Sequence, residues 1–218
     1  MTAGKSLKEQ NAWLIRTALV VQAAAFAYVV FQPLPIIQFA EPGLTRKIQD
    51  FLAPGSISLG LIALTRLVLL GLIPAQLRDR LIHWRWSHPL PGARAFTKIG
   101  PSNSRVDMSK LQKKYGPLPT DPVEQNRLFY SVYKKQADDV GVLDAHKSYL
   151  AARDLGTINF LLLILLLPLA GWFAQDGKTI TIYAVFLVSA YVAMCLAAQV
   201  YGTRLVQNSL AVASRRAA

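Results

Sequence analysis

The sequence has few charged residues and a single cysteine. Only 17% of its 218 residues are charged, whereas in a soluble domain about a quarter typically are. One cysteine, Cys195, excludes an intramolecular disulfide framework, and no Cys/His spacing predicts a zinc site. Because 53% of the residues are hydrophobic, this composition predicts a membrane protein.

Signatures of catalysis and nucleotide binding are also missing. The chain contains no GxSxG, Walker loop, HExxH or GxGxxG motif. We therefore expect a protein that is not an enzyme and that uses no cofactor and no metal. A lipid-acting enzyme remains an alternative, and it would have to use His83 and His88, which flank the run Trp84-Arg85-Trp86.

Four apolar segments are each close to or above the roughly 20 residues that a helix needs to cross the hydrocarbon core. The predicted spans are at about 14–39, 51–76, 157–174 and 179–201. They form an N-terminal hairpin within 1–76 and a C-terminal hairpin within 157–218, which ends in a short basic tail. Residues 77–156 lie between the hairpins and are predicted to form a helical cytoplasmic cap. The expected fold class is an all-α membrane protein.

The distribution of charge predicts the orientation. The net charge is +12, and residues 77–156 carry fourteen Lys/Arg against eight Asp/Glu, whereas the two short connections are neutral. Lys and Arg are retained on the cytoplasmic side during insertion, so we expect both termini and the cap to be cytoplasmic. Retention and attraction to anionic lipid account for this charge, and nucleic acid is not an expected partner.

Arg66 is the one charge deep inside a predicted span. A charge at mid-depth is costly unless it meets a partner or water. The functional hypothesis is a pore or coupling residue, with Gln22 and Asn159 as its intramembrane polar neighbours. The alternative is a structural bond from Arg66 to carbonyl groups of the bundle.

Aromatic and basic residues cluster where the predicted spans meet the headgroups. Indole rings and guanidinium groups favour that layer, and most of the Trp and Arg residues there have this simple explanation. The predicted interfacial set is Trp13, Arg16, Arg78, Arg80, Trp84, Arg85 and Trp86.

The cap has its own local signals. Asp121-Pro122-Val123-Glu124 predicts a helix start, with an N-cap acid, a proline at the first helical position and the acid of a capping box. Shorter signals predict a helix at 104–115, an extended segment at 93–99, and a helix from 142 that runs into the third span. One surface of the cap is predicted to bind a cytoplasmic partner. Its residues are His88, Arg94, Phe96, Tyr130, Tyr133, Lys134 and Lys135.

Small residues at four-residue spacing predict close helix packing. Ser56 and Gly60 form such a pair, and Ser189, Ala193 and Ala197 form a longer stripe. A lone helix facing lipid needs no such stripe, so the spans are expected to form a bundle and a homo-oligomer.

Three runs in the central region resemble a pattern in uncharacterised bacterial inner-membrane proteins. They are HPLPGARAF at 88–96, YGPLPTDPVEQN at 115–126 and YLAARD at 149–154. The layout of four spans with a modest cytoplasmic insert is similar to that of small membrane components of bacterial anti-phage defence systems. The resemblance implies an inner-membrane protein with defence against phage as its setting, and it carries over no catalytic residue.

These observations predict a non-enzymatic membrane component that couples a cytoplasmic partner or signal to the membrane, as a sensor, an anchor or a membrane-perturbing effector. The expected partners are the lipid bilayer, further copies of the chain and a cytosolic protein from the same operon. An ion channel or small transporter is the first alternative, and the lipid-acting enzyme is the second.

Overall fold

The computed structural model describes residues 10–31, 71, 73–173 and 176–216. Within these ranges the chain is helical and contains no β-strand, which confirms the all-α class. Most of the second predicted span, including Arg66, and the first connection lie outside the described residues. The described helices are α1 (Ala12–Phe31), α2 (Ala75–His83), α3 (Met108–Tyr115), α4 (Pro122–Lys135), α5 (Val140–Phe173) and α6 (Gly177–Arg215).

Two of these helices are long enough and apolar enough to cross a membrane. They are α5 and α6, with mean hydropathies of 2.0 and 2.2 in their most apolar parts. The length and composition of these helices suggest membrane association. A shorter apolar stretch, Ala12–Phe26, belongs to α1. Pro168 lies inside α5 without ending it, as is common in apolar helices whose neighbours compensate the lost hydrogen bond.

The contacts within the chain define two compact units. The first contains residues 75–154 and the chain from Met194 onwards, and the second contains α1, residues 155–173 and the first part of α6 up to Ala193. We call the first unit the cap and the second unit the apolar unit. Both α5 and α6 contribute residues to each of them.

The cap has a hydrophobic core that includes the C-terminal turns of α6. Leu111 and Val132 of α3 and α4 are fully buried there, together with Val206 and Leu210 of α6. Gly202 of α6 allows close approach, because a Cβ atom at this position would lie 2.8 Å from Pro91 Cγ. The residues after 201, which were expected to form a short basic tail, are therefore helical up to Arg215 and pack into the core of the cap. Arg204 and Arg215 are exposed, whereas the apolar side chains between them are buried.

The start of α4 agrees with its sequence signal. The Asp121 carboxylate accepts hydrogen bonds from the backbone N–H groups of Val123 and Glu124 at 2.9 and 3.0 Å, with Pro122 at the first position. The helix predicted at 104–115 begins later, at Met108, because Asp107 is its N-cap and accepts from Lys110 N at 3.0 Å.

The segment 93–99 was expected to be extended, and this prediction is wrong. It belongs to a 3₁₀ turn, Pro91–Arg94, followed by a π-helical turn, Ala95–Ile99. The reason lies in a distant side chain: Gln125 Oε1 of α4 accepts hydrogen bonds from the backbone N–H groups of Phe96 and Thr97 at 3.1 and 3.2 Å. That contact stabilises a compact turn, and it cannot be deduced from the local sequence.

The core of the apolar unit is built from α1, α5 and α6. Leu162 and Leu166 of α5 and Leu187 of α6 are almost completely buried, and Phe26 of α1 lies 6.2 Å from Tyr183, measured between ring centroids. The outward side of these helices is apolar as well. Its exposed large hydrophobic residues include Trp13, Val20, Val21, Tyr28, Ile164, Trp172, Ile182, Val185 and Phe186.

Candidate functional site

A buried polar cluster joins α2 and α5 in the cap. Asp79 and His83 are one helical turn apart on α2, as are Tyr149 and Arg153 on α5. His83 Nε2 and the Tyr149 hydroxyl form a hydrogen bond of 3.2 Å. Arg153 donates to Asp154 Oδ1 from Nε and Nη2 at 3.1 and 2.9 Å. The cluster therefore fixes α2 against the N-terminal part of α5 through side-chain contacts.

The ionisable groups of this cluster differ in their pKa shifts and in their hydrogen bonding. Burial and, to a smaller extent, the nearby guanidinium groups of Arg94, Arg153 and Arg85 together lower the pKa of His83 to about 4. Burial raises the pKa of Asp79, although the positive charges of Arg153 and Arg78 oppose this shift. Asp79 Oδ1 is buried without a hydrogen-bond partner in the part of the chain that the structure describes.

A cavity of about 410 Å³ opens beside α2. We call it the α2 cavity. Its polar lining, which we call the polar wall, includes Asp79 and Arg80 of α2 and Asn126 of α4. Its apolar lining includes Trp86 and Val123. The Arg80 guanidinium carbon lies 5.7 Å from the centroid of the Trp86 ring, which is a cation–π distance.

A second, smaller cavity of about 200 Å³ has several aromatic residues in its walls. Phe129, Tyr130 and Tyr133 of α4 line it together with His146 of α5. The Tyr133 hydroxyl and His146 Nδ1 are 2.7 Å apart, and burial raises the pKa of Tyr133. Leu90 and Asn126 line both cavities, so the two are neighbours in the cap.

The structure separates the residues predicted to bind a partner. Tyr130, Lys134 and Lys135 form an exposed ridge on α4, where Lys134 Nζ lies 5.0 Å from the centroid of the Tyr130 ring. We call these three residues the α4 ridge. Phe96 is buried in the core with 5% exposure, so its side chain does not reach the surface.

Tyr133, Arg94 and His88 complete the predicted partner-binding set. Tyr133 and Arg94 are half-buried, and burial together with the charge of Arg85 lowers the pKa of Arg94. His88 is exposed beside the α2 cavity, with a φ of 46°. It therefore lies near the cavity, and the remaining exposed members of the set belong to α4.

Most of the predicted interfacial residues are exposed. Trp86 has 75% exposure, and Trp13, Arg16, Trp84 and Arg85 are exposed as well. Arg78 differs from them, because only 17% of its side chain is exposed and its Nη1 lies 4.0 Å from Asp154 Oδ1. Arg78 therefore belongs to the polar cluster, and headgroup contact by the other residues stays a prediction.

Gln22 and Asn159 lie together in the apolar unit. Gln22 Nε2 donates to Asn159 Oδ1 at 3.1 Å, and Asn159 Nδ2 donates to the Ala190 carbonyl at 3.3 Å. Gln22 Oε1 is buried without a partner among the described residues. The predicted contact of this pair with Arg66 lies outside the described residues.

The histidines do not share one site. His83 is buried against Tyr149, whereas His88 is exposed. Within the described ranges, no group of three or more His, Cys, Asp or Glu side chains is arranged to hold a metal ion.

Three residues of the site were not identified from the sequence. They are Asp79, Tyr149 and Gln125, of which Gln125 supplies four hydrogen bonds inside the cap. Helical spacing predicts which residues share a face of α2 or α5. It does not predict that these two faces meet, and that contact creates the cluster.

Comparison with known proteins provides no relative for this chain. No protein-family model, no curated protein and no solved structure matches it.

Proposed function

We propose that this chain is a non-enzymatic component of the bacterial inner membrane that couples a cytosolic partner or signal to the bilayer. The observation that carries the proposal is the continuity of α5 and α6. In α5, Tyr149 belongs to the core of the cap and Leu162 to the core of the apolar unit, and one unbroken helix contains both. In α6, likewise, Leu210 belongs to the core of the cap and Leu187 to the core of the apolar unit.

Helix length supports a transmembrane arrangement with a cytoplasmic cap. At about 1.5 Å per residue, the 34 residues of α5 and the 39 of α6 exceed the roughly 30 Å of the hydrocarbon core. Each helix therefore has turns left over to build the cap. In this proposal the chain crosses the membrane four times with both termini in the cytoplasm, as its Lys and Arg distribution favours.

The α4 ridge is the surface where we place the cytosolic partner. Two lysines beside an exposed tyrosine suit an acidic protein surface, because aromatic residues are enriched at protein interfaces and a positive patch attracts a negative one. A protein from the same operon is the proposed partner, and the layout of the chain makes defence against phage the proposed setting. The stripe of small residues in α6 supports a homo-oligomer as the working form.

Purification of the tagged full-length protein from its own operon tests the proposal. We expect a stoichiometric cytosolic protein to be retained in mild detergent, and we expect the double substitution Lys134→Glu and Lys135→Glu to release it. The matched control is Lys110→Glu with Lys113→Glu on α3, where both lysines are exposed. Equal retention by both double variants would contradict the placement on the α4 ridge.

A membrane-potential dye, read during expression, then separates sensing from permeabilisation. A membrane-perturbing effector depolarises the cell only when its partner is present, whereas a sensor or anchor leaves the potential unchanged. Recovery of a pure homo-oligomer that depolarises the cell alone would contradict coupling to a partner.

An ion channel or small transporter is the second candidate function. The Gln22–Asn159 hydrogen bond favours it, since polar side chains inside a predicted bundle are typical of substrate and ion pathways. Arg66→Leu should abolish flux in reconstituted vesicles if Arg66 belongs to the pathway. Unchanged flux in that variant would remove Arg66 from the pathway.

A further inference from the structure

The α2 cavity is the larger of the two cavities described in the cap. Its volume of about 410 Å³ lies within the range of roughly 300–1,000 Å³ that is usual for ligand sites. The polar wall is concentrated at Asp79 and Arg80, which carry opposite charges. A pocket with apolar walls and a few convergent polar groups is the usual form of a specific binding site.

Asp79 supplies an acceptor that lacks a donor. Its Oδ1 is buried and has no hydrogen-bond partner among the residues described. An unsatisfied buried acceptor is costly, and more so when it carries charge. Burial raises the pKa of this carboxyl, in agreement with the missing donor. Asp79 also lines the α2 cavity, so an N–H group that enters the cavity would form a charge-assisted hydrogen bond with this carboxylate.

Arg80 supplies donors on the same wall. Its guanidinium stacks on the Trp86 ring at 5.7 Å, and within the described residues it forms no ion pair. Stacking leaves the edge of the guanidinium accessible, and that planar edge matches phosphate and carboxylate oxygens. The cavity therefore presents one site for a cationic donor and one for an anion.

We propose that the α2 cavity binds a zwitterion whose primary ammonium group contacts Asp79 and whose phosphate or carboxylate contacts Arg80. Two sources share this chemistry: the headgroup of phosphatidylethanolamine and a soluble molecule such as phosphoethanolamine. The α2 helix follows directly after the predicted second span in the sequence, which favours the lipid. Only the preference for the lipid over the soluble molecule rests on the proposed function. The residues that line the cavity are the same wherever the chain lies relative to a membrane.

Native mass spectrometry of the full-length protein in detergent tests the lipid. Phosphatidylcholine is the matched ligand control, since methylation removes the N–H donors from its nitrogen and leaves the phosphate. We expect phosphatidylethanolamine to bind about tenfold more tightly, the factor that corresponds to one charge-assisted hydrogen bond. Equal binding of the two lipids by the wild-type protein would overturn the lipid as the source of the zwitterion.

Three variants locate the effect. Asp79→Asn should remove the preference for the primary ammonium, and Val123→Trp should block the cavity from its exposed edge while leaving both charges in place. Asp144→Asn, an exposed carboxylate of α5, is the matched control and should bind as the wild type does. A preference that survives in Asp79→Asn would contradict the assignment of the ammonium site.

Calorimetric titration with phosphoethanolamine distinguishes the source. One possible outcome is that phosphoethanolamine binds the wild type but not Asp79→Asn, while the protein shows no preference between the two lipids. That outcome would support the site and overturn the lipid as its ligand. Absence of binding in both experiments would overturn the site itself. If Asp79→Asn still retains the cytosolic partner, a failure of ligand binding in the α2 cavity would leave the proposed function unaffected.

Discussion

The cap and the apolar unit are both helical, but different interactions stabilise them. Most of the described long-range side-chain hydrogen bonds lie in the cap, where Gln125 contacts two separate segments and Arg216 donates to Gln136 Oε1 at 2.7 Å. The described core of the apolar unit is almost entirely hydrophobic, with the Gln22–Asn159 pair at its centre. Its outer surface is apolar too, as the exposure of Trp172 and Ile182 shows.

The proposed placement of the cap in water and of the apolar unit in lipid accounts for this contrast. A fold in water needs polar groups outside and can satisfy irregular turns with side chains. In lipid, backbone groups must be satisfied internally, so regular helices suffice and their outer faces stay apolar. The 3₁₀ and π turns of the cap, held by Gln125, have no counterpart among the described residues of the apolar unit.

The largest effect is expected from Gln125→Leu in the cap. Gln125 is 1% exposed, and its Oε1 accepts from two backbone N–H groups and from the Thr97 hydroxyl. An apolar residue of similar size leaves the Phe96 N–H buried and unsatisfied, at about 1–3 kcal/mol, and it also removes the acceptor of the two Thr97 donors, which are part-buried. We expect the free energy of unfolding to fall by about 3–5 kcal/mol, measured by denaturant unfolding of the full-length protein in detergent.

Gln112→Leu provides the control for that substitution. Gln112 is exposed on α3, so its replacement should change the free energy of unfolding by less than about 0.5 kcal/mol. Equal effects at both positions would mean that the hydrogen bonds of Gln125 contribute little, and the contrast between the two units would fail.

The sequence predicted the regular parts of the fold better than the irregular ones. The start of α4 was predictable because Asp121 and Pro122 act locally, and the apolar length of α5 made its continuation predictable. The turn at 93–99 was not predictable, since it depends on Gln125, about thirty positions away. The C-terminal turns of α6 were assigned to a tail because their charges are visible in the sequence, whereas the core they join is formed by other helices.

The candidate site was predictable only in part. Arg80 and Trp86 were predicted to contact headgroups and His88 to bind a partner, and the structure brings all three to the lining of the α2 cavity. Asp79 was missed because its role depends on burial by α5, which no spacing on α2 reveals. The hydrogen bond between Gln22 and Asn159 joins residues 137 positions apart. The sequence indicated both only as polar neighbours of Arg66 and did not predict that they pair.

The second effect is a dependence of the free energy of unfolding on pH, which we expect to come from His83 of the cap. Burial and nearby arginines lower the pKa of His83 to about 4, whereas an unfolded histidine has a pKa of about 6.5. The unfolded chain therefore binds more protons between these values, and stability should fall as the pH falls from about 6.5 to about 4. The shift corresponds to a loss of about 3 kcal/mol at the lower end.

Thermal unfolding at a series of pH values measures this loss. His83→Gln cannot titrate, so we expect a shallower dependence of the free energy of unfolding on pH in this variant than in the wild type. His88→Gln is the matched control, since His88 is exposed and its replacement should leave the wild-type slope. An unchanged slope in His83→Gln would show that other groups produce the dependence.

The smallest effect is expected in the apolar unit, where the Gln22–Asn159 pair provides the sharpest contrast with Gln125. Gln22→Leu and Asn159→Leu each remove one partner of a 3.1 Å hydrogen bond and leave the other unsatisfied, at about 1 kcal/mol. The double variant replaces both polar groups in a core that is otherwise apolar, so it should be about as stable as the wild type. A double-mutant cycle by denaturant unfolding in detergent measures this coupling. The free energy of unfolding of the double variant could instead fall by the sum of the two single decreases. Each side chain would then stabilise the protein independently, and the apolar unit would depend on specific polar contacts as the cap does.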